Sequence, residues 1–341
     1  MDDRHHQTTA STGRETTINR RCFTALALTA LSGAPPAWAQ DGQPINLIVP
    51  YPAGGPSDVG ARRLAPELAK ALNQTVVVQN MAGAGGAIAA QRLLQLPADG
   101  RTMLYGSPNE LVLVPALNPA VKYKPHEFAP VGLSTRTPMV LVARTGLPVK
   151  TVDELVQYAK AQAGRELTYG SVGPGSLQHV LGAHVAALLG VKMLHVPYKG
   201  SAPMNNDLMG QQVDLAVTPL SGGTIGYVDG GKMRSLGLLT LERSPLAPNL
   251  TTVQDNSALK GVNFTIWGGL FVPASTPSTV LSPLQAAFRT MISVASLREA
   301  IAAGGGEAFP AMAAADTLAL YRDDAAHYAK LVKDLDIRID S

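Results

Sequence analysis

Short apolar segments alternate with helical patterns in two stretches of this chain, residues 45–105 and residues 167–239. Residues 45–49 form an apolar segment that ends in a Pro/Gly-rich turn, and apolar positions on one helical face follow it up to Leu72. This alternation is typical of a sheet whose parallel strands are joined through helices. We therefore predict an α/β fold with a parallel sheet, in which Ser57 or Asp58 caps the first helix.

The chain is long and apolar enough to bury a substantial core. It has 341 residues, of which 46% are hydrophobic and 16% are charged, a balance opposite to that of disordered proteins. The length favours two lobes over one. The formal net charge is only +3, from 28 basic and 25 acidic side chains. This charge is too small for a protein that must neutralise many phosphates, so no nucleic-acid partner is expected.

Residues 1–39 have the pattern of an export signal. A pair, Arg20-Arg21, precedes the uncharged segment 24–39, which ends in Ala-Trp-Ala. We expect cleavage after Ala39, by the general secretory route or the twin-arginine route, which the sequence leaves open. Cys22 is the only cysteine and lies within this leader, so the exported chain is expected to have no thiol chemistry.

Two glycine-rich turns, residues 53–58 and residues 171–176, share one design. Each follows an apolar strand, contains hydroxyl side chains and leads into a predicted helix. Free N–H groups at a helix start, together with the positive end of the helix dipole, bind anions without any basic side chain. We interpret both turns as candidate anion-binding loops. The alternative is that each is an ordinary strand-to-helix turn.

Two further glycine-rich segments mimic nucleotide-binding motifs. Residues 82–89 are similar to a dinucleotide fingerprint, but the acidic residue expected about 20 positions later is absent. Residues 226–233 nearly match a P-loop, but Met233 replaces the Mg²⁺-binding hydroxyl. We predict a structural turn and a chance match, respectively, and therefore no cofactor.

No pattern of catalytic or metal-binding residues is evident. His179 and His184 are five residues apart, which places them on different helical faces with no acidic neighbour, so no metal site is predicted. Ser171 and Ser176 offer hydroxyls, but Tyr169 stands where a nucleophile elbow needs glycine. The sequence does not support an enzyme.

Six segments together resemble one family. The chain resembles the Bug (Bordetella uptake gene) family, the periplasmic substrate-binding receptors of tripartite tricarboxylate transporters. The segments that carry the resemblance are Tyr51–Asp58, Asn80–Gly86, Pro97–Thr102, Tyr169–His179, His195–Gly200 and Tyr328–Lys333.

The resemblance implies a type II periplasmic-binding-protein fold, with two α/β lobes, a hinge and a ligand cleft between the lobes. Residues 40–143 would form the first part of lobe 1, residues 144–267 would form lobe 2, and residues 268–341 would complete lobe 1. It also implies a periplasmic, monomeric receptor that binds a small organic carboxylate and delivers it to membrane permease subunits.

Carried over from the family, the two candidate loops would hold a ligand carboxylate through backbone amides and hydroxyls. We expect Asp58 to turn back onto its own helix as a cap. Thr218 stands where many relatives have an acid, which argues against a ligand with an ammonium group. The expected ligand-binding residues are Ala53, Gly54, Gly55, Ser57, Asp58, Ser107, Ser171, Gly173, Gly175, Ser176, His179, Tyr198 and Thr218.

Two other functions stay open at this point. The chain could be a secreted ligand-sensing module that feeds a signalling partner, which genomic adjacency to a sensor kinase would indicate. It could also be a periplasmic hydrolase using Ser171 or Ser176, which product formation on a carboxylic ester would reveal.

Overall fold

The computed structural model describes residues 43–162, 166–335 and 337. The predicted export signal, with Cys22 and the expected cleavage after Ala39, lies outside these residues.

Strands and helices alternate through most of the described chain. The strands are β1 (Ile45–Val49), β2 (Val76–Asn80), β3 (Thr102–Gly106), β4 (Phe128–Arg144), β5 (Leu167–Ser171), β6 (Met193–Pro197), β7 (Leu215–Pro219), β8 (Met233–Leu238), β9 (Thr265–Pro273) and β10 (Glu307–Ala308). The helices are α1 (Pro56–Leu72), α2 (Ala87–Leu94), α3 (Val114–Leu117), α4 (Val152–Ala161), α5 (Leu177–Leu189), α6 (Ser201–Met209), α7 (Gly222–Asp229), α8 (Ser278–Ile292), α9 (Ala295–Ala303) and α10 (Ala314–Asp334).

The strands form one mixed sheet in the order β2-β1-β3-β9-β4-β7-β5-β6. Strands β1, β2 and β3 are parallel to one another, and so are β5, β6 and β7. The predicted α/β class is therefore confirmed. The expectation of a wholly parallel sheet is wrong, because β9 runs antiparallel to both β3 and β4, and β4 runs antiparallel to β7 and β8.

The long strand β4 joins the two parallel groups. Up to Pro138 it pairs with β9, and from Met139 onward it pairs with β7 and β8. Strand β10 adds to its first part at Thr135 and Arg136. Both parallel groups therefore share one continuous strand. We call the point between Pro138 and Met139, where β4 changes its pairing partners, the changeover, and it brings the ends of the two groups of strands together.

Helix α1 packs its apolar face on the sheet. Leu64 and Leu68 of this face are fully buried, and burying each stabilises the fold by about 1.5–3 kcal/mol. Ala71, expected on the same face, is exposed. The buried pair holds α1 against the sheet.

The start of α1 differs from the expectation that Ser57 or Asp58 caps it. Gly55 is the N-cap residue and Pro56 is the first helical residue, with no side-chain cap. Proline suits this position because its fixed φ is already helical and it has no N–H to leave unpaired. The helix therefore begins two to three residues earlier than predicted, directly on the glycine turn.

Within the described residues, no single helix is long and apolar enough to cross a membrane. Helices α8 and α9, bent by 73° at their junction, meet the length and composition criteria only as a pair.

Candidate functional site

A cavity of about 100 Å³ lies at the changeover in the sheet. We call it the first cavity. Its wall combines the turn after β1, the ends of β3 and β7, the start of β9 and the beginning of α6. Thr135 and Thr137 of β4 contribute hydroxyls, and Trp267 contributes an aromatic face. Among the residues that the structure describes, no acidic or basic side chain lines this cavity.

The start of helix α1 forms one side of the first cavity. Gly55, Pro56 and Ser57 all line it. The first N–H groups of a helix have no partner within the helix, and Gly55 brings no side chain to cap them. These donors and the positive end of the helix dipole therefore make this side attractive to an anion.

The start of helix α6 forms a second side that the sequence analysis did not assign. Gly200, Ser201 and Ala202 line the cavity, and the N-cap residue Gly200 again provides no side-chain cap. Gly200 lies against the turn after β1, since a Cβ there would be 3.2 Å from Pro52 Cδ. Two uncapped helix starts therefore meet at one cavity. The sequence signal for this side is the pair Gly200-Ser201, at the end of the 195–200 segment.

The predicted second loop, residues 171–176, uses its polar groups within itself. The hydroxyl of Ser176 donates to the Gly173 carbonyl at 2.7 Å and accepts from the His179 N–H, which caps α5. The Gly175 N–H donates to His179 Nδ1 at 3.2 Å. The Gly173 N–H donates to Ser171 Oγ at 3.1 Å. From this loop only Val172 lines the first cavity.

Asn109 occupies the start of helix α5. Its carboxamide oxygen accepts a 2.7 Å hydrogen bond from the Leu177 N–H, and its Nδ2 donates to Gln178 Oε1 at 3.4 Å. A close approach of the glycine turns supports this contact, because a Cβ on Gly85 would lie 3.2 Å from the Pro174 carbonyl oxygen. The N–H groups at the start of α5 therefore donate to protein side chains, in contrast to those of α1 and α6.

Removing the cap of α5 tests this description. We expect Ser176→Ala to lower the free energy of unfolding by about 1 kcal/mol, as the loss of an N-cap hydroxyl does elsewhere. The Ser176 hydroxyl is fully buried and does not line the cavity, so the affinity of the cavity for a small anion, measured by calorimetry, should fall less than tenfold. A larger loss of affinity with unchanged stability would contradict this assignment.

Asp58 does not cap α1 as expected, but turns back toward the first loop. It accepts hydrogen bonds from the Gly54 N–H, from Arg62 Nε and from Asn80 Nδ2, each at 2.9 Å. Burial would raise the pKa of this carboxyl, but the hydrogen bonds from Arg62, Gly54 and Asn80 outweigh it and lower the pKa. Asp58 lines neither the first cavity nor its neighbour, and it takes up the Gly54 N–H. It therefore orders the loop and leaves the free donors to Gly55 and the helix start.

Glu110 is a fully buried carboxyl behind the first cavity, and the sequence analysis did not identify it. It accepts hydrogen bonds from the N–H and hydroxyl of Ser107 and from the hydroxyl of Tyr51. Burial raises its pKa to about 7, although these hydrogen bonds oppose the change. Ser107 and Tyr51 line the cavity, so Glu110 fixes two of its polar wall residues.

His179 and His195 stack behind the second loop, with ring centroids 3.9 Å apart. Burial lowers the pKa of each to about 4, and for His195 the neighbouring His179 adds to the effect. Ser171 Oγ lies 2.7 Å from His195 Nε2. Ser171 is completely buried, and neither residue lines the first cavity or the one beside it.

Tyr198 and Thr218, expected as wall residues, lie away from the first cavity. Tyr198 packs its ring against Gly170, where a Cβ would be 3.3 Å from it. Thr218 is buried within β7, and its neighbour Pro219 lines the cavity instead. Successive side chains of a strand point to opposite faces, so Thr218 faces away.

The expected site residues thus fall into two groups. Those that line the first cavity are Ala53, Gly55, Ser57 and Ser107, and Gly54 lines a neighbouring cavity. Those that line neither cavity are Asp58, Ser171, Gly173, Gly175, Ser176, His179, Tyr198 and Thr218. Within the part of the chain that the structure describes, no group of three or more His, Cys, Asp or Glu residues is placed to hold a metal ion.

A family model described as "Tripartite tricarboxylate transporter family receptor" matches residues 60–337 of this chain. Three solved structures are similar over nearly their whole length. The periplasmic binding protein BugD is 31% identical, with a TM-score of 0.79 over 86% of this chain and 98% of its own. MatC from Rhodopseudomonas palustris, solved with bound malate, is 29% identical, with a TM-score of 0.78 over 84% of this chain and 98% of its own. An R. palustris protein solved with adipate is 29% identical, with a TM-score of 0.80 over 88% of this chain and 99% of its own.

Proposed function

This chain belongs to the tripartite tricarboxylate transporter receptor family, whose members are periplasmic solute receptors with the α/β fold of periplasmic binding proteins, and on that premise we propose that it binds a small organic carboxylate and delivers it to the permease subunits of a tripartite transporter. The observation that carries the proposal is the meeting of two uncapped helix starts, those of α1 and α6, at the first cavity. The carboxylates bound by two related structures, malate and adipate, support it.

The chemistry of the first cavity favours an anion without an ammonium group. Its donors are backbone N–H groups and hydroxyls, which interact well with a carboxylate. None of its lining residues is acidic, so an ammonium group would lose water without gaining a counter-charge. We therefore propose a carboxylic acid that is not an amino acid.

The predicted lobes and hinge remain part of this proposal. Residues 40–143 and 268–341 would form one lobe and residues 144–267 the other. The change of partners along β4 at Pro138 and Met139, and the return of the chain into β9 at Thr265, support these limits. The first cavity lies beside this changeover, so a ligand there would contact both lobes and favour their closure.

A proline substitution at the start of α6 tests the role of the backbone. Ser201 is the first helical residue, where proline is well tolerated, so Ser201→Pro removes one N–H while keeping the helix. Calorimetry with malate and adipate should show binding by the wild type. It should also show a loss of about ten- to a hundred-fold in affinity for the variant, the effect of one hydrogen bond to a charged group.

Ser201→Ala is the matched control, because it removes the hydroxyl and keeps the N–H. We expect it to bind more tightly than Ser201→Pro. Equal affinities of the two variants would show that the α6 N–H is not a ligand donor. No heat and no thermal stabilisation with any carboxylate would refute the proposed function itself, since a ligand at 100 times its Kd adds about 2.7 kcal/mol of stability.

A further inference from the structure

A second cavity, of about 310 Å³, adjoins the first. The two share wall residues at the start of α1, at Tyr105 and at Thr135 and Thr137 of β4. The second cavity extends from this common wall along α1 toward the start of α7 and the end of α9. A solute bound at the helix starts therefore has a continuation of the site available on one side.

Arg63 is the one residue with a formal charge among those that line the two cavities. It lies on α1, half-buried, and its guanidinium rests on the backbone of Gly304, where a Cβ would be 2.3 Å from Nη1. Within residues 43–162, 166–335 and 337, no carboxylate or hydrogen-bond acceptor pairs with it. Its neighbour Arg62, by contrast, is paired with Asp58.

Two further residues on the wall of the second cavity are Asn205 and Tyr105. The buried amide oxygen of Asn205, on the wall of the second cavity, has no hydrogen-bond partner among the described residues. Burial raises the pKa of the Tyr105 phenol, while Ser134 and the positive charge of Arg63 act against that rise. The guanidinium thus lies near the wall shared by both cavities, with its charge uncompensated by protein.

We infer that the ligand carries a second carboxylate and that Arg63 binds it in the second cavity. This inference rests on the proposed function, which assigns the first carboxylate to the helix starts. Guanidinium groups bind carboxylates through two parallel hydrogen bonds, and a partly desolvated pair is stronger than an exposed one. The protein therefore selects a dicarboxylate over a monocarboxylate of the same length.

The helix sets the spacing between the two anionic groups. Arg63 follows Ser57 by six residues, which is about 9 Å along the axis of α1. The arginine side chain reaches back toward the helix start, as side chains on helices do. A flexible diacid with several methylene groups has the reach to bridge the two cavities, and a diacid with a single methylene is the short-chain comparison.

Calorimetry with three probes tests the inference on the full-length mature chain. The probes are adipate, hexanoate, which has the same carbon number and one carboxylate, and malonate, which has two carboxylates on one methylene. The wild type should bind adipate most tightly. Arg63→Gln should lose about ten- to a hundred-fold in adipate affinity and change little in hexanoate affinity.

Two further variants separate the guanidinium from general charge and folding effects. Lys70→Gln removes the same charge from the exposed end of α1, where Lys70 pairs with Glu67, and should bind adipate as the wild type does. Gly304→Ala keeps the charge but displaces the guanidinium, since the added Cβ would overlap it. It should weaken adipate binding while leaving hexanoate binding intact.

The outcomes distinguish this inference from the proposed function. Equal affinity of wild type and Arg63→Gln for adipate, with binding of hexanoate retained, would overturn the role of Arg63 and leave a carboxylate receptor. An equal loss with Lys70→Gln would also overturn it, because long-range charge would then explain the effect. Failure of the wild type to bind all three probes would count against the proposed function.

Discussion

Replacing Asp214 by alanine will lower the free energy of unfolding by about 3–5 kcal/mol, because it leaves a charge inside the protein without its partner. Asp214 is 4% exposed and accepts a 2.7 Å hydrogen bond from Arg144 Nε. It also accepts hydrogen bonds from the N–H and hydroxyl of Thr168, at 3.0 and 3.1 Å. Burial would raise the pKa of Asp214, but these donors lower it, so the carboxylate is charged. The network ties the start of β5 to β4 and β7.

Denaturant titration of Asp214→Ala against the wild type measures this loss. Asp334→Ala provides the control, because Asp334 pairs with Lys330 on an exposed face of α10 and should cost less than about 1 kcal/mol. Adding Arg144→Leu to Asp214→Ala should restore part of the stability by removing the orphaned charge. A loss below 1 kcal/mol in the single variant would show that the pair contributes little.

Acid will destabilise the protein through the stacked histidines. His179 and His195 have pKa values lowered to about 4 in the folded chain, against an ordinary value of 6.5. The unfolded chain therefore binds more protons between these values, and stability falls as the pH decreases from 6.5 toward 4. For His179 the full difference corresponds to about 3 kcal/mol.

Glu110 acts in the opposite direction. Its pKa is raised from 4.5 to about 7, so the folded chain binds the extra proton and stability falls as the pH rises through this range. Between pH 4.5 and 6.5 the two histidines outweigh the single carboxyl. His184, whose pKa burial also lowers, acts in the same direction as the stacked pair, so stability should rise across this window.

Variants assign the two opposing effects. The unfolding free energy of Glu110→Gln should rise more steeply between pH 4.5 and 6.5 than that of the wild type. The double variant His179→Gln/His195→Gln should lose most of this rise, because Glu110 is then opposed by His184 and no longer by the stacked pair. His126→Gln, at an exposed position, controls for the loss of a histidine. A double variant that keeps the wild-type rise would show that the stacked pair is not the cause.

Local signals in the sequence are sufficient to predict an element when residues at its own ends set its limits. Helix α5, Leu177–Leu189, begins after the N-cap residue Ser176 and ends at Gly190, and both residues are local features of the sequence. Strands β4 and β9 were missed for the opposite reason. Pro130 and Pro138 interrupt the pattern of β4, and a Gly-Gly pair lies within β9, so pairing between distant segments, rather than propensity, forms them.

The site was predicted in part for the same physical reason. The turn after β1 and the start of α1 are local features, and they line the first cavity. The loop at 171–176 has the same local design, but Asn109, from a distant segment, meets the N–H of Leu177 at the helix start. Glu110 is significant because it is buried, and Arg63 because it has no partner among the described residues. No short sequence pattern shows either property.

The position of β9 has a consequence for how the chain reaches its final state. This strand lies between β3 and β4, although more than a hundred residues separate it from both in the sequence. A chain synthesised only as far as residue 264 has two facing strand edges with a gap between them. Open edges of this kind recruit other chains and aggregate, and closing a gap from so far along the sequence is slow. Completion of the sheet must therefore await nearly the whole polypeptide, and truncation before Thr265 should yield inclusion bodies rather than a smaller folded fragment.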